Sequence, residues 1–311
     1  METKKRPPRT EYLSMATIVI VIAVVMVIIM IATSPKSSRE GVSSEEPSVP
    51  EISVEESSEE ESSVPEQQTV YAEVKSVSRL NGLVAITRAN SSGSTPSDLV
   101  SVYSKKNDTF GLSGSALKLS GQAMDAFNDF TQAFFDVKGK NNLVMHKGYT
   151  PASELTADDA ERQADLTTGN AVWLTLYPAD PDGDTLGSGK FTWLADNCNT
   201  YGYILRYPDE KSAYTGQTGT KSLYRFVGYT HAAYMGKYHY SLEEYLTTIK
   251  SNASYENPVL FDAGGKTGDR SCMLYYVAAS DAETTQIPIP EGKTDYEISG
   301  NGSDGFIVIV Y

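Results

Sequence analysis

The stretch that decides the fold runs from Lys190 to Leu246: KFTWLADNCNTYGYILRYPDEKSAYTG, then QTGTKSLYRFVGYTHAAYMGKYHYSLEEYL. Phe191–Thr200 has the spacing of a helix, and Tyr201–Tyr207 reads as a strand that Pro208 stops. Ser222–Val227 reads as a second strand. Ser241 and Glu244 fit a capping box at the start of the helix SLEEYLTTIK. Helix, strand, turn, strand and helix follow one another within a single segment.

Working outward, the pattern stays mixed. Gly82–Ala89 (GLVAITRA) reads as a buried strand and Asp98–Tyr103 as a short extended piece. Ser115–Phe135 carries Leu117, Met124, Phe127, Phe130, Phe134 and Phe135 near helical spacing, with Ser113 or Ser115 as cap. Asn141–Thr150 reads as a strand ending in a turn, Thr156–Leu166 as a polar helix, and Gly169–Tyr177 as a strand. A loop follows, Pro178–Gly189. Beyond Asn257 come short strands between Gly, Pro and Asp turns: Val259–Phe261, Cys272–Ala279, Thr284–Ile289, Tyr296–Ser299 and Gly305–Tyr311. The last, GFIVIVY, must be paired or covered. This order predicts an α+β main domain with a small C-terminal β appendage.

The 311 residues carry a net charge of −14, but the acidity is local. Ser34–Gln68 holds ten Glu against Lys36 and Arg39, so −8 sits in a Ser/Glu/Pro segment with little to bury. Such a segment is expected to be an extended, disordered stalk. Before it, Ala16–Ala32 (ATIVIVIAVVMVIIMIA) has no charge and, with Met15 and Thr33, reaches across a hydrocarbon core of about 30 Å. Lys4, Lys5, Arg6 and Arg9 precede it, which predicts a cytoplasmic N-terminus and an extracytoplasmic remainder. The apolar run exceeds the roughly 7–15 residues of a cleaved signal and no Ala-x-Ala site follows, so an uncleaved single-pass anchor is expected. No basic patch follows the membrane segment, which argues against nucleic acid as partner.

Short signatures elsewhere fail on their own terms. Ser115-x-x-Lys118 and Lys266-Thr-Gly268 match two penicillin-binding motifs, but the element between them would fall at Tyr255–Asn257, far too near the second. Gly264–Thr267 resembles the end of a phosphate loop whose leading glycine is Leu260. Asp180, Asp182 and Asp184 lack the closing acid of a calcium loop, since Phe191 stands there. His146, His231 and His239 have no zinc-site spacing and read as surface or hydrogen-bonded side chains. Cys198 and Cys272 are either a disulfide or two buried thiols.

The opening stretch resembles the VanY-type D-alanyl-D-alanine carboxypeptidases, zinc enzymes of bacterial cell walls. Matching residues are Trp193, Leu194, Asn197, Tyr201, Gly202, Arg206, Tyr207, Pro208, Lys211, Thr215, Gly216, Arg225, Val227, Gly228 and Leu242–Leu246. Upstream, Leu83–Ala89, Asp98-Leu-Val100 and Gly148-Tyr149 also fall where the family has equivalents, so the likeness spans about Leu80–Lys250. The resemblance implies a hedgehog/DD-peptidase type domain, an antiparallel sheet with flanking helices.

The resemblance also implies a metal site, and there the match stops. The family's S-x-H-x-x-G-x-A-x-D falls on Ala164–Trp173, which puts Leu166 at the histidine ligand and Trp173 at the aspartate ligand. Its E-P-W-H falls on Thr220–Leu223, so Thr220 takes the general-base position and Leu223 the second histidine. The carboxylate-holding arginine after Gly-Tyr is Thr150. Leucine offers no lone pair, and an indole N–H only donates. Without a metal there is no activated water. The expectation is a zinc-less, non-catalytic homologue with no cofactor, in which Leu166, Trp173 and Leu223 converge as an apolar plug. Tyr149, Thr150 and Arg206 are the candidate substrate-binding residues. The domains expected are a cytoplasmic tail (1–14), a transmembrane helix (15–33), the stalk (34–70), the carboxypeptidase-like domain (71–254) and the β appendage (255–311). Partners would be peptidoglycan or an envelope protein. The alternatives are an active D,D-carboxypeptidase with a rearranged site and a pure envelope scaffold.

Overall fold

The computed structural model describes residues 68–88, 95–139, 141–155, 160–264 and 270–311. The expected anchor, and the stalk up to residue 67, lie outside them. No helix among the described residues is long and apolar enough to cross a membrane.

In chain order the elements are β1 (Thr69–Lys75), β2 (Leu99–Ser101), β3 (Gly111–Leu112), β4 (Lys118–Ser120), α1 (Gly121–Lys138), β5 (Leu143–Lys147), β6 (Ala171–Leu176), α2 (Thr192–Asn197), β7 (Tyr203–Tyr207), β8 (Thr220–Phe226), α3 (Tyr229–Tyr238), α4 (Leu242–Asn252), β9 (Val259–Ala263), β10 (Arg270–Ala278), β11 (Thr284–Pro290), β12 (Tyr296–Gly300) and β13 (Gly305–Val310). The fold is α+β.

The central sheet has the order β3-β5-β6-β8-β7, antiparallel except for the β3–β5 pair. α1 covers one face. Its stripe of Ala123, Met124, Phe127, Phe130 and Phe134 recurs every three or four residues and is buried against Val172, Leu174, Tyr203, Tyr224 and Phe226. Phe127 meets Tyr203 edge-on at 5.9 Å, and the Tyr203 hydroxyl donates to the Ala123 carbonyl at 2.7 Å. Each fully buried phenyl contributes roughly 1.5–3 kcal/mol. α1 begins six residues later than the sequence pattern predicts. Lys118–Ser120 pairs with β2 first, and Ser120 then caps the helix by accepting from the Ala123 N–H.

A second core lies under the C-terminal strands. β12-β13-β10-β9 form one antiparallel sheet, and β1 pairs with β11 in a ribbon beside it. β13 runs between β12 and β10 and is buried along its length, as its apolar sequence requires. Tyr234 of α3 and Tyr245, Leu246 and Ile249 of α4 pack on these strands together with Ile204 and Val227. The appendage therefore shares its core with the carboxypeptidase-like part, and it takes in β1 from the other end of the chain. Ser241 and Glu244 close the capping box of α4 reciprocally.

Three local expectations are corrected. Residues 82–88 form no ladder. They pass between the two sheets, first as a turn in which the Ala85 N–H donates to the Gly82 carbonyl at 3.3 Å and then without regular structure, while neighbouring groups satisfy the Val84 and Ile86 N–H groups. The polar helix shrinks, in its described part, to Ala160–Gln163 and a 3₁₀ turn, Ala164–Thr168, which Gly169 closes at φ 72. α3 falls in a tyrosine-rich segment, YTHAAYMGKY, that carries no periodic pattern read above as a helix. Cys198 and Cys272 are free, and each is buried in a different core. Burial pushes their thiols up to about 12 and about 11, so both are inert rather than nucleophilic.

Candidate functional site

The face of the central sheet opposite α1 carries the positions to which the resemblance assigns metal ligands and base. Trp173 on β6 stands directly across from Leu223 on β8. The Ala164–Thr168 turn lays Leu166 beside them. Leu166, Ala171, Tyr207 and Leu223 form one buried apolar cluster with Trp173 packed at its margin. The Thr150 N–H donates to the Leu166 carbonyl at 3.2 Å, and the Tyr149 N–H to Lys118 at 2.8 Å, so the Gly148–Thr150 turn is tied to the same place. Thr220 lies across from Tyr207, itself a member of the cluster. Leu166, Trp173, Leu223, Thr220, Tyr149 and Thr150 are thus brought into one neighbourhood.

Zinc does not fit what is assembled there. Three nitrogen or oxygen lone pairs are needed at about 2.0–2.2 Å. Of the side chains that meet, Leu166, Leu223, Ala171 and the Trp173 indole cannot ligate, and Tyr207 offers one phenol oxygen that burial keeps protonated, short of the three donors needed. Among the described residues no three His, Cys, Asp or Glu side chains converge as a metal set. His231 lies in the second core, where burial lowers its pKa to about 3 and keeps it neutral, with Nδ1 2.6 Å from the Tyr245 hydroxyl. His146 is exposed, and His239 ends α3 at φ 54.

Beneath the apolar cluster is a buried ionic group that sequence reading did not anticipate. Asp165, one residue before Leu166, receives Arg206 Nε at 2.6 Å on one oxygen and Arg225 Nη1 on the other. Arg206 also forks onto Glu243 at 2.7 and 3.2 Å. Arg225 Nη2 donates to the Leu83 and Ala85 carbonyls at 3.0 and 2.7 Å. Burial opposes the charge on Asp165, yet Arg225 and then Arg206 hold its carboxyl below the usual range, so it stays ionised. Arg206, expected from sequence to bind substrate, has its guanidinium inside this group. Its guanidinium is 2% exposed and committed to Asp165 and Glu243, which leaves it bracing β7 against the 3₁₀ turn and α4. The available signal was a charged residue inside an apolar strand, Ile204-Leu-Arg-Tyr207 and Leu223-Tyr-Arg-Phe226.

Other sequence candidates resolve simply. Asp180 pairs with Lys190 at 2.9 Å, and Asp184 accepts from the Lys190 backbone N–H at 3.2 Å, so these acids close a loop on themselves. Residues 265–269, including the K-T-G triplet, lie outside the described residues. A cavity of about 950 Å³ lies elsewhere: its lining among the described residues includes Asp98, Asp125, Phe226, Tyr229, Glu297 and Tyr311 and none of Leu166, Trp173, Thr220 and Leu223.

With that geometry in hand, comparison with known proteins places the chain among similar ones. No protein-family model matches it. It is 28% identical over 234 residues to a D-alanyl-D-alanine carboxypeptidase of Enterococcus faecium, covering 70% of each chain. It is 31% identical over 105 residues to one of the same description from Enterococcus faecalis, covering 33% of this chain and 39% of that one. Among solved structures it is similar to the vancomycin-resistance D,D-dipeptidase VanXYg, in complex with a D-Ala-D-Ala phosphinate analogue. The TM-score is 0.62 at 25% identity, over 78% of this chain and 99% of that one. The chain resembles the VanY-type D-alanyl-D-alanine carboxypeptidases in sequence and in fold.

Proposed function

We propose that this chain is a zinc-less, non-catalytic homologue of the D-alanyl-D-alanine carboxypeptidases, held at the outer face of a membrane by its N-terminal apolar segment. Its role is binding, to cell-wall peptidoglycan or to an envelope protein, on a scaffold inherited from a peptidase. The observation that carries this reading is the apolar cluster of Leu166, Ala171, Tyr207, Leu223 and Trp173 where the family has its metal and water. A hydrolase needs a polarised carbonyl and an activated nucleophile. Thr220, at the general-base position, has a hydroxyl of ordinary acidity and cannot hold a proton from water near neutral pH. The peptidoglycan ligand is supported by the relatives' printed activity and by an N-terminal sequence that predicts an extracytoplasmic domain on a stalk.

The test has two arms on the full chain purified in detergent. D-alanine release from a peptide ending in D-Ala-D-Ala, with zinc supplied, is expected to match the no-protein control. Co-sedimentation with purified peptidoglycan is expected to be saturable. Turnover in the first arm contradicts the reading and favours an active enzyme with a rearranged site. No turnover and no sedimentation leaves the envelope scaffold and contradicts wall binding.

A further inference from the structure

His231 is a titratable ring packed where a charge has no partner. It is fully buried on the face of α3 that also buries Ala232, Tyr234 and Met235. Nδ1 lies 2.6 Å from the Tyr245 hydroxyl of α4, and the two rings meet edge-on at 5.6 Å. Nε2 is buried and has no hydrogen-bond partner among the described residues. A neutral imidazole carries one N–H, whereas the imidazolium carries two. Protonation in place would therefore bury an unpaired N–H together with an uncompensated charge.

Nothing around the ring offsets that charge. The titratable groups that act on Tyr245 from the elements packed about it are Tyr234 of α3, Cys272 of β10, Glu297 of β12 and Tyr311. Burial keeps the proton on each tyrosine and on the thiol. Glu297 is the one carboxylate among them. It is exposed, accepts the Tyr311 hydroxyl at 2.9 Å and does not reach Nε2. The formal charges on the surrounding elements are engaged elsewhere. On α4, Glu243 holds Arg206, Glu244 holds Lys211 and Lys250 holds Asp304. Lys237 of α3 lies over the rings of Tyr238 and Phe261, and Arg270 of β10 pairs with Asp295. Burial lowers the pKa of the ring to about 3, in keeping with this isolation.

α4 has a second attachment. Two residues before Tyr245, Glu243 grips Arg206 at 2.7 and 3.2 Å, and Arg206 in turn holds Asp165 at 2.6 Å beneath Leu166. The helix pair thus seats on the C-terminal sheet and also braces the closed face.

We propose that His231 is an acid-sensitive latch that holds α3 and α4 on the C-terminal sheet and, through Glu243, steadies the turn under the Leu166 cluster. The neutral ring fits the seated state. When the helix pair lifts away, the ring meets water, takes a proton and must lose it before the pair can return. The folded pKa lies below that of a free ring, about 6.5, so the latch is fully closed above that pH. Opening then grows about tenfold for each unit of pH below it, until the folded value is reached. The latch stands whether or not the wall-binding reading holds.

The test is hydrogen–deuterium exchange of the full chain in detergent, read as protection factors at about pH 7.5 and about pH 5. Protection of the α3 and α4 amides is expected to fall about thirtyfold between the two, and that of the α1 amides to stay unchanged. His231→Phe fills the space without a titratable ring and is expected to abolish the fall. Tyr245→Phe removes the hydrogen bond but keeps the imidazole; protection is expected to be lower at both pH values, with the fall intact. His239→Gln, at the end of α3, is expected to keep the fall as well. An equal fall in His231→Phe, no fall in the unaltered chain, or an equal fall throughout α1, which would mark global unfolding, would each overturn the proposal.

Discussion

The two faces of the central sheet share strands but follow different rules. Toward α1, Tyr203, Tyr224 and Phe226 meet Phe127 and Phe130 in a dry aromatic layer. On the other face an apolar cap of Leu166, Leu223 and Trp173 sits over the charges of Asp165, Arg206 and Arg225. The first face is what any member of such a fold needs in order to stand. The second is where the similar enzymes are expected to expose polar ligands to solvent, and here it is packed shut. Leucines at positions where the resemblance implies metal ligands offer no donors, and here they pack as core. Leu166 and Leu223 should then behave energetically as core residues do.

The largest test of that contrast is Asp165→Asn. It leaves two buried guanidiniums with one acid, Glu243, between them, and is expected to cost about 3–5 kcal/mol in urea unfolding. A pH series sharpens the result. The folded pKa of Asp165 is lowered, so its contribution is present above the unfolded value of about 3.9 and is lost as pH falls through the folded value. The variant should lack that acid-side loss.

On the aromatic face, Phe130→Ala removes a ring that touches Trp193, Tyr201, Tyr203 and Tyr224 and should cost about 3–4 kcal/mol. Leu223→Ala on the opposite face should cost about 2–3 kcal/mol, a little less because the neighbouring Trp173 is partly exposed and can relax. A Leu223→Ala change of under about 0.5 kcal/mol, the scale of ordinary surface positions, would mean that the face is still a cleft and would break the comparison. The smallest effect is Ser241→Ala at the α4 cap, about 1 kcal/mol, which touches neither face and calibrates the series.

The aromatic face was legible in the sequence because its signal is periodic: Met124, Phe127, Phe130 and Phe134 mark one side of a helix whatever surrounds them. The capping box at Ser241 was legible because it is local. The start of α1 was not, since Lys118–Ser120 is drawn into a strand by Leu99–Ser101, a partner distant in sequence. Nor was the shared second core, where β1 finds β11 across more than two hundred residues. At the candidate site, the positions of Leu166, Trp173 and Leu223 followed from motif spacing, whereas the partners of Asp165 did not. Buried ion pairs are set by tertiary proximity, and only the oddity of an arginine within an apolar strand hinted at them. The cavity bounded by Asp98, Asp125 and Glu297 draws on separate stretches of chain from Leu80 to Tyr311 and left no trace in any one of them.

Metal uptake at the face bearing Leu166, Trp173 and Leu223 decides between a filled-in site and a working one. The direct measurement is elemental analysis of the full chain, purified without chelator and equilibrated with zinc before gel filtration. Zinc far below one equivalent per chain is expected, unchanged in a Leu223→Ala variant. One equivalent of zinc that survives gel filtration would contradict a filled-in site.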